Sequence, residues 1–140
     1  MDPFYTAAAT AKGDGRAGEV LSSDGVLDEE LAVPTEMGGS GGRYTNPEQL
    51  FAAGYAACFH GALRTAAADA GIAADASSVT ARVGIGKSEV GLYALSVELE
   101  ADLTGFEQGR ADELVAQAHQ ICPYSNATRG NIVVTVTATT

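Results

Sequence analysis

Long apolar runs are missing from this chain of 140 residues. No stretch approaches the roughly 20 consecutive apolar residues that span a bilayer, which excludes a membrane-spanning helix. The N-terminal stretch MDPFYTAAAT has no basic segment leading into an apolar block, so the cytoplasm is the expected compartment. Basic residues are scarce too: eight lysines and arginines face eighteen acidic residues, a formal charge of -10. Such a surface repels phosphate backbones and anionic lipid, so neither nucleic acid nor membrane is an expected partner. Cysteine is limited to Cys58 and Cys122. In a reducing compartment a permanent structural disulfide is not expected, which leaves two buried bystander thiols or a reactive, reversible pair. There is no GxGxxG, and the glycine-rich GGSGG at residues 38–42 lacks the lysine and spacing of a phosphate-binding loop. A close backbone crossing explains those glycines better than an anion site.

What is present supports one globular domain over residues 1–140, since 46% hydrophobic residues suffice for a core. The chain is organised around NPEQLFAAGYAACFHGALRTAAADAG, Asn46 to Gly71. Asn46 is a good N-cap, Pro47 suits the first helical position, Gln49 can complete a capping box and Gly71 can end the helix. Leu50, Phe51, Gly54, Tyr55, Cys58, Ala62 and Leu63 recur at three- and four-residue steps, a buried face. Many small residues around it, Ala53, Ala57 and Gly61 among them, predict a central helix covered on more than one side.

Before this helix, Phe4–Ala11, Arg16–Ser22 and Asp28–Val33 read as three short strands separated by turn residues, an antiparallel meander. After it, Val79–Ile85 and Leu95–Leu103 alternate apolar and polar residues, predicting two antiparallel strands with one buried face. Phe106–Cys122 returns to helical period and stops at Pro123, with Cys122 in its last turn. Ile132–Thr139 closes the chain as a strand. The fold class is α+β.

Which residues could do chemistry? CFH at 58–60 and HQIC at 119–122 raise a zinc site, but residues two apart on a helix point about 200° apart, so Cys58 and His60 cannot share an ion. Neither metal nor any other bound cofactor is expected. The same geometry weakens His60 as a base for Cys58, and His119 reads as an ordinary, partly exposed helical residue. A thiol must ionise to attack, and an apolar site opposes this unless a positive group is near. Arg16, Arg43, Arg64 and Arg129 are the candidates, and composition does not choose among them.

TNPEQLFAAGYAACFHGAL (Thr45–Leu63) and CPYSNATRGN (Cys122–Asn131) closely resemble the two signature stretches of the organic hydroperoxide resistance proteins. These belong to the larger family that includes the osmotically inducible protein C. The resemblance covers nearly the whole chain and implies an OsmC-like fold built as an intertwined homodimer, with the second helix carrying the resolving cysteine. It implies a thiol-dependent peroxidase that reduces alkyl or fatty-acid hydroperoxides, with Cys58 peroxidatic and Cys122 resolving. It further implies that Arg16, in GDGRAG where relatives often read GGRDG, polarises the site and that Glu48 orients Arg16. The resulting disulfide would be reduced by dihydrolipoyl groups, as on dihydrolipoamide or a lipoylated protein. Phe51, Tyr55, Phe59 and Tyr124 are candidates to line the substrate channel, although aromatics at helical spacing also make ordinary core. Glu48 and Cys58 lie ten residues apart, about 15 Å along a straight helix, so Arg16 and Glu48 of one subunit are expected to serve the partner's Cys58. A redox sensor or adaptor, a lipid-binding module with incidental cysteines, and a peroxidase of the osmotically inducible branch are the alternatives.

Overall fold

A computed structural model describes residues 1–140. The chain has an α+β fold with two three-stranded sheets and three α-helices, and it divides into two compact units, residues 1–50 and 51–140.

The first unit holds β1 (Ala9–Lys12), β2 (Glu19–Ser22) and β3 (Asp28–Glu30), paired antiparallel in chain order. This is the expected meander with shorter strands. β1 cannot extend back to Phe4, because its partner β2 ends at Ser22 and turns: the Ser22 hydroxyl and the Val26 N–H both bond the Asp24 carboxylate. β2 does not begin at Arg16, because residues 13–18 make a turn around a short 3-10 segment, Gly15–Ala17. Gly18 is required there, since a Cβ would lie 2.1 Å from the Lys12 carbonyl oxygen. Beyond β3, Leu31 forms a single parallel bridge to Thr45 instead of continuing the strand to Val33. Leu31 and Ala32 are the only buried hydrophobic residues of this unit; Leu21, Val26 and Tyr44 are exposed.

α1 (Pro47–Asp69) closes the first unit and runs on through the second. The Asn46 side chain accepts the Gln49 N–H at 2.8 Å, as an N-cap should. The other half of the capping box differs: Gln49 Oε1 accepts the Thr45 hydroxyl at 3.0 Å. At the far end Gly71 adopts φ +69°, with Gly71 N–H bonded to Ala68 O and Ile72 N–H to Ala67 O. That is a Schellman stop, and the half-buried Ile72 packs on the core as the motif prefers.

In the second unit Tyr55, Phe59, Ala62, Leu63, Ala66 and Ala67 form the buried face of α1. The opposite face, Ala53, Ala57 and Gly61, is exposed, so this chain does not supply the expected second cover. β4 (Ser78–Lys87) and β5 (Tyr93–Asp102) pair antiparallel with Val83 opposite Val97 and Ala81 opposite Leu99. Those rows point inward, while the outward Arg82 reaches Glu100. β6 (Val134–Thr139) lies parallel to β5 on its other side. A parallel neighbour needs a crossover, which α2 (Gln108–Ile121) and α3 (Pro123–Thr128) provide. Ala111, Leu114, Val115 and Ala118 of α2 join Val97, Leu99, Ala101 and Leu103 in the core.

Candidate active site

Pro123 shapes the site. Proline lacks an N–H, its ring clashes with the preceding turn, and it drives the residue before it out of the helical region. α2 therefore ends at Ile121, and Cys122 takes an extended conformation at φ -65°, ψ 122°. This corrects the expectation that Cys122 sits in the last turn of the second helix. Cys122 lies in the break between two helices, and Pro123 opens α3 at a position where its missing N–H is harmless.

The break turns Cys122 inward. It is fully buried, and its Sγ stands 3.6 Å from the Sγ of Cys58, near the middle of α1. Both thiols are free, and Cys58 is only partly buried. A disulfide requires about 2.05 Å, so the pair is one small movement short of bonding. Burial pushes the Cys58 thiol up; a hydrogen bond from the Tyr124 backbone N–H opposes that, and the neighbouring Cys122 raises it further. Ionising Cys58 thus calls for positive charge.

The first unit carries a charge pair of its own. Arg16 Nη1 and Nη2 donate to the two Glu48 carboxylate oxygens at 3.0 and 2.8 Å, a fork-to-fork pair. Glu48 is mostly buried and is held below the usual carboxylate range, chiefly by its hydrogen bond from Arg16. The turn at residues 13–18 carries Arg16 and the first turn of α1 carries Glu48.

Aromatic rings gather beside the cysteines. Phe51, Tyr55 and Tyr124 form a triangle with centroids 5.6 to 6.2 Å apart. Phe51 and Tyr124 keep open surface, whereas Tyr55 and Phe59 are fully buried. Phe59 meets the His119 ring at 6.5 Å. Gly54, one turn before Cys58, leaves room for the Tyr124 ring: a Cβ there would lie 3.0 Å from its hydroxyl oxygen.

The histidines are engaged elsewhere. His60 Nε2 lies 3.1 Å from the Ser77 hydroxyl, and His119 Nδ1 lies 2.9 Å from the Ser125 hydroxyl. No three His, Cys, Asp or Glu side chains are grouped to hold a metal ion. Arg129 donates to the His119 carbonyl at 2.6 Å and Arg64 pairs with Asp75. Ser125 and Thr128 were not singled out in the sequence. They share one face of α3, three residues apart, a signal legible only once residues 123–128 are read as a helix.

A family model described as OsmC-like protein matches residues 39–137. The chain is 52% identical over 135 residues to the organic hydroperoxide resistance protein of Xanthomonas axonopodis pv. citri, covering 96% of this chain and 94% of that one. Among solved structures, an organic hydroperoxide resistance protein from Legionella pneumophila superposes with a TM-score of 0.93 at 46% identity, covering 99% of this chain and 100% of that one. The organic hydroperoxide resistance protein OhrB of Bacillus subtilis gives 0.90 at 44%, covering 98% and 100%. With its two signature stretches, its fold and these relatives in agreement, the chain belongs to the organic hydroperoxide resistance proteins of the OsmC-like family.

Proposed function

We propose that this chain is a cysteine-based peroxidase that reduces organic hydroperoxides to alcohols. One observation carries the reading: two free thiols stand 3.6 Å apart, Cys122 fully buried and Cys58 partly open. The substrate class comes from what the relatives are called.

The Cys58 thiolate attacks the terminal oxygen of the hydroperoxide, the O–O bond breaks, and the alkoxide takes a proton and leaves as alcohol. The peroxide gains two electrons and Cys58 becomes a sulfenic acid. The Cys122 sulfur then attacks the sulfenic sulfur, hydroxide departs with the thiol proton as water, and a Cys58–Cys122 disulfide remains. Dihydrolipoyl thiols of a lipoylated protein reduce it by exchange and become the cyclic disulfide. No bound cofactor takes part. The Arg16 guanidinium favours the thiolate and donates to the peroxide oxygen as charge develops, while Glu48 keeps the guanidinium oriented. The apolar wall for an alkyl chain is Phe51 and Tyr124, with Tyr55 and Phe59 as its floor.

The working form is a homodimer, in which Arg16 and Glu48 of one subunit serve the partner's Cys58. Two bare surfaces support this: the meander sheet buries almost nothing, and the Ala53, Ala57 and Gly61 face of α1 is uncovered. The compartment is the cytoplasm, where both thiols stay reduced between turnovers. No helix is long and apolar enough to cross a membrane.

The test is consumption of tert-butyl hydroperoxide with dihydrolipoamide as reductant. Cys58→Ser should lose activity, and Cys122→Ser should oxidise once and then recycle poorly. Full activity in Cys58→Ser would refute the mechanism. Oxidation of the pair without repeated turnover would instead mark a redox sensor.

A further inference from the structure

Behind the sulfur pair runs a chain of polar side chains that the chemistry above does not use. His119 Nδ1 lies 2.9 Å from Ser125 Oγ, which lies 2.9 Å from the Tyr55 hydroxyl. The Tyr55 hydroxyl lies 3.1 Å from Thr128 Oγ1, which lies 3.0 Å from the Tyr124 carbonyl oxygen and 3.2 Å from that of Ser125. Ser125 and Tyr55 are wholly buried and Thr128 nearly so.

Proton counting gives this chain a direction. The Thr128 hydroxyl has one proton and faces carbonyl oxygens, which only accept, so its proton belongs to them. Thr128 Oγ1 must then accept from Tyr55, Tyr55 from Ser125, and Ser125 from His119 Nδ1–H. The reverse order would set the Thr128 oxygen against the Tyr124 carbonyl at 3.0 Å with no proton between them. Burial and the nearby Arg129 lower the His119 pKa, which leaves the ring neutral with one N–H to place.

The position of the chain is as informative as its direction. His119 stands three residues before Cys122, Ser125 three residues after it, and Tyr55 three residues before Cys58. The hydrogen bonds therefore bridge the break that holds Cys122 and fasten it to the helix that holds Cys58. Arg129, bonded to the His119 carbonyl, adds a second strap across the same corner. The Cys122 N–H is bonded to the Ala118 carbonyl and its own carbonyl accepts the Asn126 N–H, both at 2.9 Å. The side-chain ties add to these backbone bonds by fixing the corner between the two helices, so that closure from 3.6 Å to about 2.05 Å starts from a held geometry.

We infer that His119, Ser125 and Tyr55 form a positioning network that holds the Cys122 corner against α1 for disulfide closure. They act on the second step, after the hydroperoxide has been cleaved; of the three only the Tyr55 ring borders the substrate wall, and its hydroxyl faces Ser125 and Thr128 instead. This rests on the reading of Cys58 and Cys122 as the peroxidatic and resolving pair.

The experiment is a single turnover of the reduced full-length protein with tert-butyl hydroperoxide. Sulfenic acid on Cys58 is followed by dimedone trapping and mass spectrometry, and disulfide closure by loss of free thiol. In Ser125→Ala and His119→Leu, sulfenic acid should form within about twofold of the wild-type rate, while closure slows about tenfold, the effect of one lost hydrogen bond. His119→Asn, whose amide nitrogen takes the place of Nδ1, should recover most of that loss. Nitrogen-15 spectra of the wild type should show the Nδ1–H tautomer, and Ser125→Ala should abolish that preference. If Ser125→Ala fails to fold, the two His119 variants carry the test. Closure at the wild-type rate in the variants, equal slowing of both steps, or an Nε2–H wild type overturns the inference alone. A wild type whose Cys58 stays unoxidised overturns the peroxidase reading and the inference with it.

Discussion

The buried hydroxyl chain makes a stability prediction that can be worked through with a double-mutant cycle on Tyr55→Phe and Ser125→Ala. Tyr55→Phe keeps the ring and removes an oxygen held at 2.9 Å from Ser125 and 3.1 Å from Thr128. While His119 keeps its Nδ1–H tautomer, the wholly buried Ser125 hydroxyl is left with a proton that neither of its two former side-chain partners accepts. Stranding a buried donor costs about 1–3 kcal/mol, so about 2 kcal/mol is expected. Ser125→Ala leaves the Tyr55 hydroxyl still donating to Thr128, and His119 at the partly exposed end of the chain can turn to water. Its cost should be smaller, about 1.5 kcal/mol. The two substitutions remove one shared bond, so the double variant should lose about 2.5 kcal/mol, short of the additive 3.5 by a coupling of about 1 kcal/mol. At about 2.1 cal/mol/K per residue, each kcal/mol lowers Tm by about 3–4 °C in a chain of this size. The singles should then fall by about 7 and 5 °C and the double by about 9 °C. Thermal and urea unfolding of the reduced proteins read these values, at one fixed protein concentration because the stability of the proposed dimer would depend on it. Additivity within about 0.3 kcal/mol would refute the shared bond.

Two further outcomes follow from other parts of the molecule. The Arg16–Glu48 pair is fork-shaped but Arg16 is 43% exposed, so after solvent screening it contributes about 1 kcal/mol. Because Glu48 is held below the ordinary value of about 4.3, its contribution is complete above that pH and disappears as pH falls through the folded-state pKa. The stability gap between wild type and Glu48→Gln, measured by urea unfolding, should be full at neutral pH and shrink in acid; a gap that widens in acid contradicts the assignment. Gly54→Ala gains about 1 kcal/mol of helix propensity and crowds only the Tyr124 ring, which is 40% exposed and can swing outward. Net stability should rise by about 0.5 kcal/mol, and a loss above about 1.5 kcal/mol in thermal unfolding would mean the ring is pinned.

Local signals were legible in the chain where local chemistry decides the outcome. Asn46 and Gly71 bound α1 because a cap and a left-handed stop act through neighbours. Strict alternation identified β4 and β5, whose inner and outer rows differ in polarity. The meander strands were read too long, because a strand's length depends on its partner, and β2 turns away at Ser22. The cover expected over Ala53, Ala57 and Gly61 is not supplied within this chain, since small residues record that something comes close without saying what. In the site, the helical angle between Cys58 and His60 was enough to separate their roles, and His60 is bonded to Ser77. Arg16 and Glu48, 32 residues apart, could be linked only through the family resemblance, since no spacing rule joins a turn to a helix start. Ser125 and Thr128 were invisible for a related reason: the short stretch after Pro123 carries no apolar period to mark a buried face, and Ser125 is bonded to Tyr55, 70 residues away.

The conformations of the two cysteines differ in a way that suits the proposed redox cycle. Cys58 lies within continuous helix, where backbone dihedrals are fixed by hydrogen bonds on both sides and the sulfur can be held for attack. Cys122 is bonded on both sides too, its N–H to the Ala118 carbonyl and its carbonyl to the Asn126 N–H at 2.9 Å each, but Pro123 gives it extended dihedrals between the two helices. Disulfide formation needs about 1.5 Å of approach, which rotation of the Cys122 side chain with a small adjustment at this corner can supply. Compliance by itself would also let Cys122 drift. The ties at His119, Ser125 and Arg129 cross the break on either side of it and add to the two backbone bonds of Cys122 in limiting how far it moves. Tyr124 completes the arrangement: its N–H opposes the rise in the Cys58 pKa while its ring rests on Gly54, one turn below the sulfur. A single proline thus sets the direction of one sulfur and, through the residue that follows it, the surroundings of the other.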